Sequence, residues 1–160
     1  MPVVDLLDLP QAAPPRTALL GLDLGEKTIG VAASDTGRII ASPLELIRKT
    51  RFTQDAEQLF RLMEGRNIGG LVIGLPVNMD GTEGPRAQSA RAFARNLLRL
   101  RDIAIAFWDE RWSTVAVQRM MIEEQDINRA RRAELVDKTA AAYILQGALD
   151  RLHAAREQTR

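Results

Sequence analysis

One stretch near the start of the chain constrains the fold more than any other. Residues 17–23 are apolar at nearly every position, and residues 28–34 form a second apolar run. The segment between them, Leu24-Gly25-Glu26-Lys27, holds a glycine and two charges, which is the composition of a tight turn. The pattern therefore predicts a strand, a turn and an antiparallel return strand, with the first strand central and covered on both faces.

Asp23 is the lone carboxylate of the first predicted strand, and it lies at the carboxyl end of that strand. A buried carboxylate is costly unless it is paired, hydrogen-bonded or bound to a metal. Functional sites of open α/β sheets also cluster at these strand ends. Asp23 is therefore the first candidate for chemistry.

The remaining pattern predicts an α/β fold. Apolar runs indicate further strands at about 38–42, 71–75 and 103–108. Apolar residues at helical spacing indicate helices that start after Thr53 and at Pro85, a shorter helix over about 113–124 and a long last helix over about 130–153. Because short turns join the first three strands, we expect a five-stranded mixed sheet, with three antiparallel strands and then two parallel ones, flanked by helices.

Length and composition indicate one domain over 17–153, with a flexible leader at 1–16 and a C-terminal tail at 154–160. The leader contains Asp5, Asp8 and four prolines and does not resemble a signal peptide. No window is apolar enough to span a membrane, so a cytoplasmic protein without a membrane partner is expected. The chain has no cysteine and a single histidine, His153, so a bound metal would need oxygen ligands, which favours Mg²⁺ or Mn²⁺.

Three further acids can approach Asp23. Asp109 and Glu110 end the last predicted strand, and only one of the two can face the same side as Asp23, because consecutive strand residues point to opposite faces. Asp137 shares one face of the last helix with Ala140, Ala141, Ile144 and Ala148. Each acid also has an ordinary interpretation: a strand end paired with Arg111, or a helix start favoured by the helix dipole.

Four segments resemble the motifs of a known family. They are LDLGEKTIGVA at 22–32, VIGLPVNMDGTEG at 72–84, DERWST at 109–114 and VDK at 136–138. Together they resemble the YqgF family of Holliday-junction-resolvase-like proteins associated with pre-16S ribosomal RNA cleavage, within the ribonuclease H-like superfamily. The resemblance runs in order over about residues 17 to 150.

The resemblance implies a ribonuclease H-like fold and a metal site. It implies that Asp23, Glu110 and Asp137 ligate two Mg²⁺ or Mn²⁺ ions, which would activate a water for attack on a phosphodiester. Glu110 is favoured over Asp109 because the apolar neighbours of Asp109 belong to a packed face, but a bulge at the strand end would reverse this choice. Glu134, one turn before Asp137, is a secondary candidate.

Several basic and polar residues are candidates for nucleic-acid contacts, since arginine suits phosphate and only three of the 22 basic residues are lysine. The candidates are Lys27, Asn78, Arg86, Arg111, Arg129, Arg131 and Arg132. Asn78 belongs to a polar, glycine-rich loop over 78–84, and Trp112 offers a ring for base stacking. Ordinary solvated surface explains any single one of these arginines equally well.

These features favour a divalent-metal-dependent endonuclease acting on structured nucleic acid, namely the 5′ end of pre-16S rRNA, Holliday-junction DNA or both. The alternatives are an actin-like or sugar-kinase-like ATPase, which opens with a similar Asp-x-Gly strand and turn, and a non-catalytic nucleic-acid-binding module of the same fold. An ATPase would need a second lobe, which 160 residues cannot supply. Both monomer and homodimer are compatible with the sequence.

Overall fold

A five-stranded mixed sheet forms the centre of the computed structural model, in which residues 3–112 and 129–158 are described, with side chains described outside 129–138. The strands are β1 (Ala18–Leu24), β2 (Thr28–Ser34), β3 (Ala41–Arg48), β4 (Ile68–Leu75) and β5 (Ala104–Asp109). Their order across the sheet is β3-β2-β1-β4-β5. β1 pairs antiparallel with β2 and parallel with β4, β2 pairs antiparallel with β3, and β4 pairs parallel with β5. The expected mixed sheet is confirmed.

Helices cover both faces of this sheet. They are α1 (Leu9–Ala12), α2 (Phe52–Gly65), α3 (Pro85–Leu100) and α4 (Arg129–Gln158). α2 and α3 pack on one face, and α4 packs on the other. α4 runs five residues beyond the predicted end at 153, so most of the predicted tail is helical, whereas the helix predicted over 113–124 lies outside the described residues. Within the described ranges, no helix has the length and apolar character needed to cross a membrane.

The third strand lies later in the chain than the sequence predicts. A strand was expected at about 38–42, but β3 spans Ala41–Arg48. The reason is a turn that continues to residue 40, because the Asp35 carboxylate accepts hydrogen bonds from the amides of Ile39 and Ile40. Arg38 within this turn has a left-handed φ of 57°. Pro43 is accommodated because β3 is an edge strand.

The leader is docked rather than flexible over most of its length. The Val4 amide donates a hydrogen bond of 2.9 Å to the Ile105 carbonyl on the outer edge of β5. Leu6 and Leu9 are buried and pack in the same apolar cluster as α4. Edge strands expose unpaired backbone groups, so covering β5 in this way satisfies part of that edge and buries apolar surface. The prediction of a flexible 1–16 segment therefore differs from the structure.

α4 approaches the sheet very closely, and small residues make this possible. The predicted inward-facing residues Ala140, Ala141, Ile144 and Ala148 are all buried. A Cβ added at Gly21 of β1 would lie 2.6 Å from the Leu145 Cβ and 2.9 Å from the Ala141 carbonyl oxygen. The glycine at position 21 therefore sets the distance between α4 and the central strand.

Candidate active site

Asp23 lies near the carboxyl end of β1, on the face of the sheet that α4 covers. Its neighbour Leu22 is fully buried in the core formed with α2 and α3, and Gly21 contacts α4. Since side chains alternate along a strand, Asp23 points to the same face as Gly21. Only 2% of Asp23 is exposed, so its carboxylate is buried on the α4 face of β1.

Glu110 is brought to the same face from the end of β5. It begins a 3₁₀ turn, Glu110–Trp112, directly after the strand. A Cβ added at Gly74 would lie 3.3 Å from Glu110 Oε1 and 2.5 Å from Ile144 Cδ1 of α4. The Glu110 carboxylate therefore lies over Gly74, on the α4 side of the sheet.

Gly74 lies between the two acids. Leu22 of β1 pairs with Ile73 of β4, so the following residues, Asp23 and Gly74, are neighbours across the sheet. Gly74 in turn pairs with Trp108 of β5, two residues before Glu110. The missing side chain at position 74 leaves room for the Glu110 carboxylate, and both acids occupy the same end and the same face of the sheet.

Asp109 has different surroundings from Glu110. The register between β4 and β5 is regular up to Leu75 opposite Asp109, so no bulge reverses the two faces. The Asp109 carboxylate accepts hydrogen bonds from Arg111 Nη2 at 2.7 Å and from the Arg111 amide at 2.9 Å. These bonds from Arg111 hold the pKa of Asp109 below its ordinary value. Asp109 thus pairs with Arg111, which was the ordinary interpretation of this acid from sequence.

The third predicted acid, Asp137, belongs to α4. Its position in the helix is one turn before Ala141, whose carbonyl oxygen lies against Gly21 of β1. Later in α4, His153 contacts Arg38, which lies at the end of the sheet opposite to Asp23. The part of α4 that precedes Ala141 therefore extends towards the end that carries Asp23. The side chains of Asp137 and Glu134 are outside the described part, and their roles stay predictions.

The donor set suits a hard divalent cation. Asp23 and Glu110 offer carboxylate oxygens, the ligands that Mg²⁺ and Mn²⁺ prefer. Among the side chains that the structure describes, no three acids form a metal-binding group. Two acids converge there, and a third ligand would have to come from residues such as Asp137.

The loop after β4 is closed by its own hydrogen bonds. Within it the Asn78 amide donates to the Thr82 carbonyl at 2.9 Å, and Asn78 Nδ2 donates to Thr82 Oγ1 at 3.0 Å. Hydrogen bonds from the Thr82 hydroxyl and amide lower the pKa of Asp80. Arg111 Nη1 reaches the Asn78 carbonyl at 3.4 Å, which ties the loop to the end of β5. The Asn78 side chain, predicted to contact nucleic acid, thus has a structural contact in the loop.

The predicted basic contacts fall into three groups. Lys27 is exposed in the β1–β2 turn and Arg86 is exposed in the first turn of α3, both at the sheet end that holds Asp23. Arg111 pairs with Asp109 at this end, as described above. The side chains of Arg129, Arg131 and Arg132 lie outside the described residues.

Trp112 follows the two strand-end acids and is 61% exposed. Its ring packs edge-to-face on Trp108, with ring centroids 5.2 Å apart and an interplanar angle of 83°. Trp108 is buried against Gly147 of α4. One tryptophan therefore anchors the other, and the outer ring presents an aromatic surface beside Glu110.

Sequence reasoning did not identify the glycine that makes room for the site. Gly74 lies inside an apolar strand, a position where glycine often marks the close approach of another group. That signal is present in the sequence, but it cannot say which group approaches. The answer requires the strand order, which places β4 between β1 and β5.

The strand order, with three antiparallel strands followed by two parallel ones, defines the class of fold as ribonuclease H-like. Among solved structures, the fold is similar to that of Thermus thermophilus RuvC in complex with a Holliday junction substrate. The TM-score is 0.51 at 9% sequence identity, and the match covers 85% of this chain and 96% of that chain. At this identity the likeness concerns the fold alone.

The family itself is identified from the sequence of the whole domain. The family model described as "RuvX: Holliday junction resolvase" matches residues 17–151. The chain is 72% identical over 153 residues to a protein of Phenylobacterium zucineum and 63% identical over 153 residues to one of Caulobacter vibrioides, with 95% of this chain and 98% of each relative covered. Both relatives are named "Putative pre-16S rRNA nuclease". The chain belongs to the RuvX, or YqgF, family of Holliday-junction-resolvase-like nucleases, as the four sequence motifs predict.

Proposed function

We propose that this protein is a divalent-metal-dependent endonuclease that hydrolyses phosphodiester bonds of structured nucleic acid. The observation that carries the proposal is the convergence of Asp23 and Glu110 on one face of the sheet, on either side of Gly74. Carboxylates gathered at one end and one face of a sheet are stabilised by a cation, and family membership supports phosphodiester hydrolysis as the reaction.

The residues of the chain divide the work between metal binding and substrate binding. Asp23, Glu110 and Asp137 would hold Mg²⁺ or Mn²⁺, with two ions expected. Bound there, the metal would supply an activated water and charge stabilisation for the leaving oxygen. Burial of Asp23 fixes one ligand in place before substrate arrives. The exposed ring of Trp112 offers a stacking surface for a base next to the cleaved bond.

The substrate class follows from the family and its relatives. Their names support cleavage of pre-16S rRNA, for which we propose the 5′ end, and the family description supports resolution of Holliday junctions. Both substrates need the same hydrolysis and the same recognition of a phosphate backbone. A cytoplasmic enzyme, acting as a monomer or as a homodimer on a two-fold symmetric junction, fits either substrate.

A cleavage panel tests the proposal. Purified protein is incubated with a pre-16S-like RNA, single strands, duplexes and four-way DNA junctions, in Mg²⁺, in Mn²⁺ and in EDTA. We expect cleavage of at least one structured substrate with either metal and none in EDTA. The Asp23→Asn variant should lose cleavage while keeping its circular dichroism spectrum, because the substitution removes a ligand charge and little volume.

The controls separate the competing functions. An ATP hydrolysis assay on the same preparation tests the ATPase alternative, which predicts turnover of ATP without nucleic-acid cleavage. Full cleavage by folded Asp23→Asn protein, after contaminating nuclease is removed, would refute the catalytic assignment. Binding of nucleic acid without cleavage under every metal condition would favour the non-catalytic module.

A further inference from the structure

Three exposed basic residues lie at the sheet end that holds Asp23, on the side away from Glu110. Lys27 lies in the β1–β2 turn, Arg48 ends β3, and Arg51 precedes the first residue of α2. We call Lys27, Arg48 and Arg51 the basic corner. β1 ends and β2 begins at this level of the sheet, so the basic corner lies beside the strand end that carries Asp23.

Arg48 lies on the same face of the sheet as Asp23. Its neighbour Ile47 is buried in the core with α2 and α3, so Arg48 points to the α4 face by strand alternation. Arg48 pairs with Thr28, and Asp23 pairs with Gly30, two residues further along β2. The two Cα atoms are separated by two strand spacings across the sheet and by two residues along the strands. The distance from the Arg48 Cα to the Asp23 Cα is therefore roughly 12 Å. An extended arginine side chain covers much of that distance.

Hydrogen bonds of Lys49 and Thr50 fix the backbone around the basic corner. The Lys49 amide donates a hydrogen bond of 2.9 Å to the Lys27 carbonyl, and Lys49 Nζ donates to the Gly25 carbonyl. The Thr50 amide donates to Asp55 Oδ1 at 3.1 Å, and Asp55 is only 5% exposed. The turn between β3 and α2 is therefore fixed by buried and backbone contacts, which pre-organises the positions of the three basic residues.

The positive charge of the basic corner offsets the repulsion between the substrate phosphates and the carboxylates of the site. A nucleic-acid strand that reaches Asp23 and Glu110 brings its own negative charge towards two carboxylates. Lysine and arginine that contact phosphates release condensed counterions and supply sequence-independent affinity. Arginine adds a planar fork that matches a phosphate group. Nearby positive charge thus favours a substrate that the acids alone would repel.

We propose that the basic corner binds the phosphate backbone of the substrate strand beside the cleaved phosphodiester. The inference rests on the proposed nuclease function and adds to it the direction in which the strand leaves the site. The strand crosses the end of the sheet from β1 over β2 to β3 and passes the turn that joins β3 to α2. Contacts to phosphate give position and affinity rather than sequence preference.

The salt dependence of binding tests this proposal without using cleavage. All variants carry Asp23→Asn, so that bound substrate stays intact, and the probes are a fluorescein-labelled four-way DNA junction and a labelled single-stranded RNA. Fluorescence anisotropy gives the affinity over a series of salt concentrations. The triple variant K27A/R48A/R51A should lower the magnitude of the slope of log K against log salt by roughly 2 to 3, about 0.7–0.9 for each lost contact.

A matched control removes the same charge elsewhere. Arg61, Arg66 and Arg99 are exposed on α2 and α3 or just after α2, on the other face of the sheet. The variant R61A/R66A/R99A should keep the slope of the Asp23→Asn parent. Where the alanine triple fails to fold, K27Q/R48Q/R51Q removes the same charges with less loss of side-chain packing and carries the same expectation.

The outcomes distinguish the inference from the function on which it rests. An unchanged slope in a folded corner variant, with normal binding by the parent, overturns the basic corner and leaves the nuclease proposal standing. An equal decrease of the salt slope in the corner and control variants also overturns it, because the change in net charge alone would then explain the effect. Failure of the parent to bind either probe overturns the proposed function and the corner together.

Discussion

At the scale of single residues, Asp109 and Glu110 are adjacent acids with different surroundings. Asp109 is bonded to Arg111, whereas the Glu110 carboxylate lies over Gly74 on the face that carries Asp23. Glu110→Ala should therefore reduce cleavage by more than roughly 100-fold, since even groups that only orient a metal ligand cost about 10–100-fold. Asp109→Ala should keep measurable activity. Single-turnover cleavage rates at saturating Mg²⁺ check the ranking.

The same pair of variants can also contradict this ranking. Asp109→Ala leaves Arg111 without its carboxylate partner, so its stability should be measured beside its activity. A stable Asp109→Ala protein without activity, together with an active Glu110→Ala protein, would assign the ligand role to Asp109 instead.

The alternation of side chains along β5 could be predicted from sequence, whereas the position of the Glu110 carboxylate could not. Alternation predicts that Trp108 and Phe107 face opposite sides, and Trp108 indeed packs with α4 while Phe107 packs with the other core cluster. Glu110 lies beyond the strand, in a 3₁₀ turn, where alternation no longer applies. Its location over Gly74 depends on the neighbouring strand β4, which a local pattern does not reveal.

The ion pair between Asp109 and Arg111 also makes stability depend on pH. Because Arg111 lowers the pKa of Asp109 in the folded protein, the unfolded chain binds a proton more readily at this carboxyl. The stabilisation is complete above the ordinary carboxyl pKa of about 3.9 and is lost as pH falls through the lower folded pKa. The free energy of unfolding should therefore fall less steeply with acid below about pH 4 in Asp109→Asn than in the parent.

Urea unfolding at a series of acidic pH values measures this dependence. Asp150→Asn is a suitable control, because Asp150 is an exposed residue of α4 bonded to Gln146, which also reaches Ile39 at the opposite end of the sheet. Identical pH dependence in Asp109→Asn and the parent would mean that the pair contributes nothing to acid sensitivity.

At the scale of elements, the distance between α4 and β1 is set at Gly21. Gly21→Ala would place a methyl group 2.6 Å from the Leu145 Cβ and 2.9 Å from a backbone oxygen, neither of which can rotate away. Overpacking of this kind costs about 1–3 kcal/mol. Since α4 also carries Asp137, the variant should lose cleavage activity along with stability.

Gly65→Ala gives a matched control for this prediction. Gly65 ends α2, and a Cβ there would have no neighbour within 4 Å, so the substitution should be neutral or slightly stabilising. Thermal unfolding of the two variants compares them directly. Equal stability of Gly21→Ala and Gly65→Ala would contradict the close approach of α4.

The bounds of a strand could be predicted where they depend on the local sequence pattern. The prediction was wrong where contacts with distant residues determine where the strand begins. The second strand was predicted at 28–34, and β2 spans Thr28–Ser34. β3 was misplaced because the preceding turn is held by Asp35 and by Arg38, whose Nε donates to the Thr17 carbonyl at 2.8 Å. The error also concealed Arg48, because a strand ending at 42 leaves this arginine in an unplaced segment.

At the scale of the whole molecule, the N-terminal segment completes the core beside β5. Charged and proline residues in 1–16 suggest a tail, yet Leu6, Leu9 and Ala13 are buried in the cluster that contains α4. Tertiary burial of this kind has no local periodicity, because α1 is only four residues long. The docked segment is therefore the part of the fold that sequence patterns are least able to predict.

The docking of this segment predicts unequal effects for two nearby leucines. Leu9 is fully buried in the cluster that contains α4, whereas Leu7 is 48% exposed. Leu9→Ala should lower the free energy of unfolding by about 2–5 kcal/mol, the range for large-to-small changes in a core. Leu7→Ala should stay within about 0.5 kcal/mol of the parent, as is usual for surface positions. Urea denaturation of the full-length variants measures both, and similar small losses in the two would mean that the segment does not stay docked in solution.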